Sequence, residues 1–252
     1  MQFDPTYNPF SLVGKTILIT GASSGIGRAT AIECSKLGAT CVITGRNEER
    51  LNETLSQMVG EGHISIVADI STQEGIDLLA EQSPAIDGVV NNAGVGITKP
   101  VGFYKQDDLE RIFQINAFTP MLITKQLLKK KKINKSASLV FVTSIATQKY
   151  SLGNGIYGSS KAAISTYVRY CAKELCDKKI RANSIHPGMI ETKLIHGGSL
   201  SEADLQKDMQ RYPLGRYGNP EEVAHSIIYL LSDASAWITG TSLIIDGGIS
   251  LV

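Results

Sequence analysis

Seven short runs rich in valine, isoleucine and threonine recur along this chain with helical patterns between them, and that alternation restricts the fold more than any other feature. The strand-like runs fall at Thr16–Thr20, Thr40–Thr44, His63–Ala68, Ile86–Val90, Ser138–Thr143, Arg181–Ile185 and Ser242–Ile245, most of them bounded by Gly, Asp or Asn. Ile26–Leu37 places apolar or small residues at helical spacing and stops before Gly38. Glu48–Met58 repeats Leu51, Leu55 and Met58. Strand, helix and strand in repeated succession imply parallel pairing through right-handed crossovers, with helices on both faces of the sheet. No linker rich in Pro, Gly or Ser interrupts the pattern, so the 252 residues predict one α/β domain over residues 1–252, with residues 1–13 as an N-terminal extension.

Two longer helices, about Leu109–Lys132 and Gly155–Lys178, flank the fifth run, and Pro120 predicts a break or kink near Thr119 in the first. Between Pro187 and Glu221 the pattern loosens, and residues 189–216 are expected to form a substrate loop or lid, or an ordinary surface insertion. With 25 basic and 24 acidic residues, the charge balance suggests neither nucleic acid nor an anionic membrane as partner. Lys129–Lys132 reads as the solvated end of a helix or a docking patch for an acidic partner. Cys34, Cys41, Cys171 and Cys176 lack Cys-x-x-Cys spacing and read as small buried hydrophobes in a reducing cytosol. Met1–Leu12 lacks the basic stretch and apolar core of a signal peptide, and no apolar segment reaches the ~18 residues of a membrane span; a cytoplasmic location is the expectation.

The first strand runs directly into Gly21-Ala22-Ser23-Ser24-Gly25-Ile26-Gly27 and then a helix. Backbone without side chains can approach a pyrophosphate closely, and a helix amino terminus adds N–H donors and positive dipole. Gly21, Ser23, Ser24, Gly25, Ile26 and Gly27 are therefore candidate cofactor contacts. About 20 residues on, where an acidic residue would bind the ribose hydroxyls of NAD, the chain carries Arg46. A guanidinium there suits a 2′-phosphate, so NADP is expected over NAD. The competing reading leaves Arg46 in solvent and gives the ribose to Glu48 or Glu49, which also suit the first turn of the next helix.

Tyr157 and Lys161 lie one helical turn apart and put a phenol and an ammonium on one face. A nearby cation favours phenolate and lowers the tyrosine's pKa, which makes the phenol a proton carrier for a carbonyl or an alcohol. Thirteen residues earlier the run Leu139–Val142 ends in Thr143-Ser144, as a strand would that delivers a hydroxyl to its carboxyl end, where open α/β sheets bind ligands.

Taken in order, Thr20-Gly21-x-x-x-Gly25-x-Gly27, Asn91-Asn92-Ala93-Gly94, Asn116, Ser144, Tyr157-x-x-x-Lys161 and Pro187-Gly188 resemble the short-chain dehydrogenase/reductase family over roughly residues 12–252. The resemblance implies a doubly wound Rossmann-type fold with a seven-stranded parallel sheet, and hydride transfer without a metal. It implies that Ser144 donates to the substrate oxygen, Tyr157 transfers the proton, Lys161 tunes Tyr157 and binds the nicotinamide ribose, and Asn116 bends its helix and links Lys161 to solvent. It also makes Asp69 and Ile70 adenine contacts, sets Asn92, Ala93 and Gly94 beside the ribose, and gives the carboxamide to Pro187, Gly188, Ile190 and Thr192. A homotetramer or homodimer follows from the same resemblance.

Pro213-Leu214-Gly215-Arg216 and Ile245-Asp246-Gly247-Gly248 are similar to bacterial 3-oxoacyl-[acyl-carrier-protein] reductases, in which case Lys129–Lys132, Arg169 and Lys173 would meet an acidic carrier protein. A sugar, polyol or steroid dehydrogenase, or a regulator that binds nucleotide without turnover, remains open at this point. The four histidines form no metal-ligand cluster: His63 begins a strand, His186 ends one and His225 lies in a helix, while His196 could touch substrate. Trp237 is expected to pack the C-terminal segment or a subunit contact.

Overall fold

A computed structural model describes residues 7–192 and 202–252. All seven expected strands form: β1 (Thr16–Thr20), β2 (Thr40–Gly45), β3 (Ile64–Val67), β4 (Ile86–Asn91), β5 (Ile133–Val142), β6 (Arg181–Pro187) and β7 (Ser242–Ile245). They make one parallel sheet in the order β3-β2-β1-β4-β5-β6-β7. Ile17, Leu18 and Ile19 are buried together, so alternate residues of one strand supply both cores. One core lies under α3 (Gln73–Gln82), α5 (Thr119–Lys129) and α6 (Gly155–Glu174); the other lies under α1 (Gly25–Lys36) and α8 (Pro220–Leu231), which pack on each other.

Helix boundaries follow local chemistry. The side chains of Asn47 and Thr72 accept from Arg50 N and Gly75 N at the starts of α2 (Glu48–Leu55) and α3. Glu48 and Glu49 occupy the first turn of α2, where their charge complements the helix dipole. The expected long helix before β5 is three pieces: α4 (Gln106–Phe113), a π-helical segment Gln114–Phe118, and α5. Pro120 stands in the first turn of α5, directly after the π-helical segment, where the helical bonding pattern changes.

Other expectations need correction. Strand β5 starts at Ile133 rather than Ser138, because Ile133 pairs with Ile86 before a register shift that the left-handed Ser136 (φ +64°) accompanies. Polar Asn134, Lys135 and Ser136 hid this extension. Cys34, Cys41 and Cys171 are buried, whereas Cys176 is exposed on the 3-10 turn after α6. Trp237 is fully exposed, so it does not pack the C-terminal segment among the described residues, which leaves the subunit-contact alternative. Lys129–Lys131 are exposed, but Lys132 is half-buried and donates to Ser83 O. Among the described residues no helix is long and apolar enough to cross a membrane.

Candidate active site

From β1 the chain crosses to β2 and β3 on one side, then returns to lay β4 against the other side of β1. Connections leaving in opposite directions open a crevice at the carboxyl ends of β1 and β4, which is where such sheets bind ligands. The glycine loop leaves β1 there, and Asn92-Ala93-Gly94 leaves β4. Thr20 fastens the two: its hydroxyl accepts from Asn92 N and Ala93 N, both at 3.0 Å, while Asn92 Nδ2 donates to Thr20 O at 2.9 Å.

Bare backbone is a steric requirement at this junction. Gly21 has φ +67° and Gly25 φ +54°, and a Cβ on Gly27 would stand 2.4 Å from Gly21 O and 2.5 Å from Asn92 Nδ2. Helix α1 then begins with neither a capping side chain from Ser24 nor a carboxylate in its first turn. Those N–H groups are suited to an anion. Ser23 and Ile26 are half-buried in the loop, and Arg28 donates to Ser23 O at 2.9 Å while pairing with Glu53.

Arg46 is exposed just beyond β2 and faces Asp69 beyond β3. The Ser71 hydroxyl and amide bond the Asp69 carboxylate and hold it below its ordinary range, and Arg46 adds to that effect. The Ile70 side chain is in the core and its carbonyl accepts from Thr119, so a ligand would meet it through the main chain. The same holds for Ile190, whose side chain is buried in the second core.

The expected proton-transfer residues converge at the ends of β5 and α6. Ser144 caps a 3-10 turn, Ile145–Thr147, and its hydroxyl accepts from Ala146 N at 3.1 Å. Tyr157 lies in reach of that hydroxyl. Lys161 Nζ sits 5.9 Å from the Tyr157 ring centroid, on the same side, and donates to Val142 O at 2.9 Å. The cradle and this group touch: a Cβ on Gly94 would lie 3.1 Å from Lys161 Nζ and 3.2 Å from Asn116 Oδ1.

Asn116 is buried at the centre of the π-helical segment. Its amide accepts from Val95 N and donates to Val95 O, both at 2.9 Å, and to Ser160 Oγ at 3.1 Å. The local widening of the helix that the family resemblance implied is therefore present. Ser160 in turn donates to Tyr157 O at 2.7 Å, tying the π segment to α6.

One electrostatic expectation fails. Burial raises the Tyr157 phenol above its ordinary value, and the bond with Ser144 only partly opposes this. Burial also pulls the Lys161 ammonium down to about 8.

At the other wall, Pro187 ends β6, Gly188 N donates to Ile245 O at 2.9 Å, and Thr192 Cγ2 would be 3.2 Å from a Cβ on Gly25. The segment from Pro187 to Thr192 thus reaches back over the glycine loop. Ile190 pairs with Gly218, and α7 (Glu202–Met209) lies between them in the chain; residues 193–201 of the expected loop, including His196, lie outside the described residues. Thr20 was read only as the head of the glycine motif, without its fastening role; Arg28 and Ser160 escaped the sequence reading, and nothing in the local pattern marked them.

A family model described as enoyl-(acyl carrier protein) reductase matches residues 21–250. The 3-oxoacyl-[acyl-carrier-protein] reductase FabG of Rickettsia felis is 31% identical over 241 residues, covering 96% of this chain and 99% of its own. Among solved structures, a 7α-hydroxysteroid dehydrogenase complexed with NADH and 7-oxo glycochenodeoxycholic acid superposes with TM-score 0.88 at 29% identity, over 96% of this chain and 98% of its own. A candidate NAD(P)-dependent gluconate 5-dehydrogenase from Beutenbergia cavernae, with NADP bound at low occupancy, gives TM-score 0.89 at 26% identity, over 97% and 100%. The fold and these matches define an oxidoreductase acting on CH–OH and carbonyl groups. The chain belongs to the short-chain dehydrogenase/reductase family.

Proposed function

We propose that this protein is an NADP-dependent reductase of a small ketone, with Tyr157 as the proton donor. The observation that carries the reading is the convergence of Ser144, Tyr157, Lys161 and Asn116 beside a backbone cradle that a single Cβ at Gly27 would fill. The cradle fits a dinucleotide: the glycine loop and the start of α1 suit the pyrophosphate, Asp69 and the Ile70 amide suit the adenine, and Arg46 suits a 2′-phosphate. Gly94 beside Lys161 suits the nicotinamide ribose, and the turn from Pro187 to Thr192 suits the carboxamide. The bound cofactor supplies the hydride.

Ser144 would turn its O–H from Tyr157 to the carbonyl oxygen, donating a hydrogen bond that orients it while keeping its own proton. Tyr157 then protonates the same oxygen as charge develops there. The phenol, raised by burial, is protonated at neutral pH, the form that reduction needs. Lys161 lies close enough to stabilise the phenolate left behind. Asn116 holds the turn after β4 and the helix of Tyr157 in register through Val95 and Ser160.

The relatives act on an acyl thioester, a steroid and a sugar acid by their names, so the substrate reading is kept at a small ketone. A carrier-protein thioester is the narrower version, supported by the FabG relative. Lys129–Lys131 lie at the far end of α5, about 20 Å of helix from Asn116, so docking there would have to act at a distance. A homotetramer or homodimer is part of the proposal, with exposed Phe118, Tyr170 and Trp237 as apolar surface to cover.

The test is NADPH oxidation over a panel of ketones, keto sugars and acyl thioesters, comparing wild type with Tyr157→Phe. A rate lowered about 10²- to 10⁴-fold, with NADPH binding kept, supports the assignment. Equal rates in both proteins would overturn it.

A further inference from the structure

His186 lies directly behind the turn that carries Ser144. It is buried, and both ring nitrogens are engaged: Nδ1 lies 3.1 Å from Thr147 Oγ1, and Nε2 lies 3.0 Å from Ser184 Oγ. The directions of these bonds can be worked out. Thr147 Oγ1 gives its only proton to Ser144 O at 3.0 Å, so towards His186 it can only accept. Nδ1 must then carry hydrogen. With Nδ1 carrying hydrogen, Nε2 of the neutral ring accepts from the Ser184 hydroxyl, which also lies 3.3 Å from Thr241 O and 3.1 Å from Ser242 Oγ.

One ordered chain results, from Ser242 on β7 through Ser184, His186 and Thr147 to the main chain of Ser144. We propose that His186 and Thr147 are positioning residues that set the Ser144 hydroxyl for substrate, with His186 as the neutral Nδ1–H tautomer. The inference rests on the reading of Ser144 as the donor to the carbonyl oxygen. The surroundings agree with a neutral ring. Burial, with Arg169 and Lys161 as nearby cations, takes its pKa down to about 4, opposed only by the Ser144 carbonyl. No carboxylate is among the groups acting on it. Protonation would turn Ser184 away towards Thr241 O at 3.3 Å and put a third positive charge behind the site.

Two readouts test this. The first is the ¹⁵N spectrum of the His186 imidazole, identified by its absence in His186→Gln, at pH 7. A neutral Nδ1–H ring is expected, and an Nε2–H ring, or titration between pH 6 and 7, would overturn the chain whether or not any substrate turns over. The second is kinetic. Thr147→Val, on a half-exposed turn, and His186→Gln each lower kcat about ten- to a hundredfold with the Kd for NADPH unchanged.

Thr147→Ser, which keeps the hydroxyl, and His186→Asn, which keeps a donor in place of Nδ1–H, stay within about threefold of wild type. The double variant Thr147→Val/His186→Gln is no worse than the poorer single, because both cut one chain. Losses that multiply, or a Thr147→Val enzyme with wild-type kcat, would refute the positioning role. A wild type that binds NADPH yet reduces nothing in the panel would instead refute the enzymatic reading, and the tautomer measurement would still decide the chain.

Discussion

The two ends of the parallel sheet are built on opposite plans. At the amino ends of the strands a cavity of about 440 Å³ is lined by Gly14, Lys15, Asp87, Arg181 and Asp233 among others. Its charges are largely committed within the protein. Lys15 pairs with Asp233 at 2.6 Å, Asp87 accepts from Thr16 N and Asn134 Nδ2, and Arg181 donates to Ser235 Oγ and Ser232 O. At the carboxyl ends charge is sparse, and what stands out is bare backbone in close approach and hydroxyl or amide groups joining one turn to the next. Volume and charge would have pointed to the wrong end. What distinguishes the candidate site is a hydroxyl, a phenol and an ammonium brought together beside space that a methyl group would destroy.

The sharpest way to break that comparison is to add one methyl group at each end. Gly27→Ala drives a Cβ into Gly21 O and Asn92 Nδ2, both parts of the cradle rather than flexible tips. NADPH affinity is expected to fall more than about tenfold and stability by about 1 to 3 kcal/mol. Gly14→Ala at the other end meets nothing within 4 Å and strains only its left-handed backbone at φ +75°. That costs about 1 kcal/mol and leaves NADPH binding unchanged. Titration calorimetry and thermal melts check both, and equal NADPH affinity in the two variants would contradict the steric account.

Lys161 gives the next effect, on stability against pH. Its ammonium is lowered from the usual 10.5 to about 8, so between those values the unfolded chain holds a proton that the folded one has released. Stability from this group rises as pH climbs through that window, and below about pH 8 the full cost of burying the charge remains. Lys161→Met should therefore be more stable than wild type at pH 7 without cofactor, with the advantage shrinking towards pH 10. The tyrosines with raised values, Tyr157, Tyr167, Tyr212 and Tyr217, act in the opposite sense above about pH 10 in both proteins, so the difference between the two melts isolates the lysine. The same variant should lose turnover. A stability advantage that grows with pH would exclude the assignment.

Tyr157 sets the direction of a third profile. With the phenol raised by burial, ketone reduction is expected to stay level across neutral pH. Alcohol oxidation needs the phenolate and should climb steadily with pH. Initial rates in both directions between pH 6 and 10 would show it, and a reductive rate that halves between pH 7 and 8 would point to another acid.

How much of this was readable beforehand divides along the same line. Elements with a strong period were legible: seven strands and the glycine loop follow from continuous apolar runs and from the place of Gly21, Gly25 and Gly27 between strand and helix. Tyr157, Lys161 and Ser144 were legible because their spacing is local. The joining groups were not. Thr20, Ser160, Thr147 and His186 act across gaps of 3 to 73 residues, and a single hydroxyl in a strand or helix has no periodic signature. The polar start of β5 was hidden for a related reason, since Asn134 bonds Asp87 rather than the core. The lowered phenol failed as an expectation because spacing predicts the neighbouring ammonium but not the burial that outweighs it.

The smallest effect belongs to the amino end and separates its charge from function. Asp233 is exposed over most of its side chain and Lys15 over a quarter, so solvent screens their 2.6 Å contact and each side chain loses rotamer freedom in making it. Asp233→Ala is expected to lower stability by under about 1 kcal/mol, less in high salt, and to leave NADPH affinity and turnover untouched. Asp233 also favours the Arg181 guanidinium; losing that help destabilises, so the change should be a small loss and not a gain. Urea unfolding at low and high salt measures it. A loss of several kcal/mol, or a drop in turnover, would mean that the two ends of the sheet are coupled, and the contrast between a self-satisfied amino edge and a ligand-facing carboxyl edge would have to be abandoned.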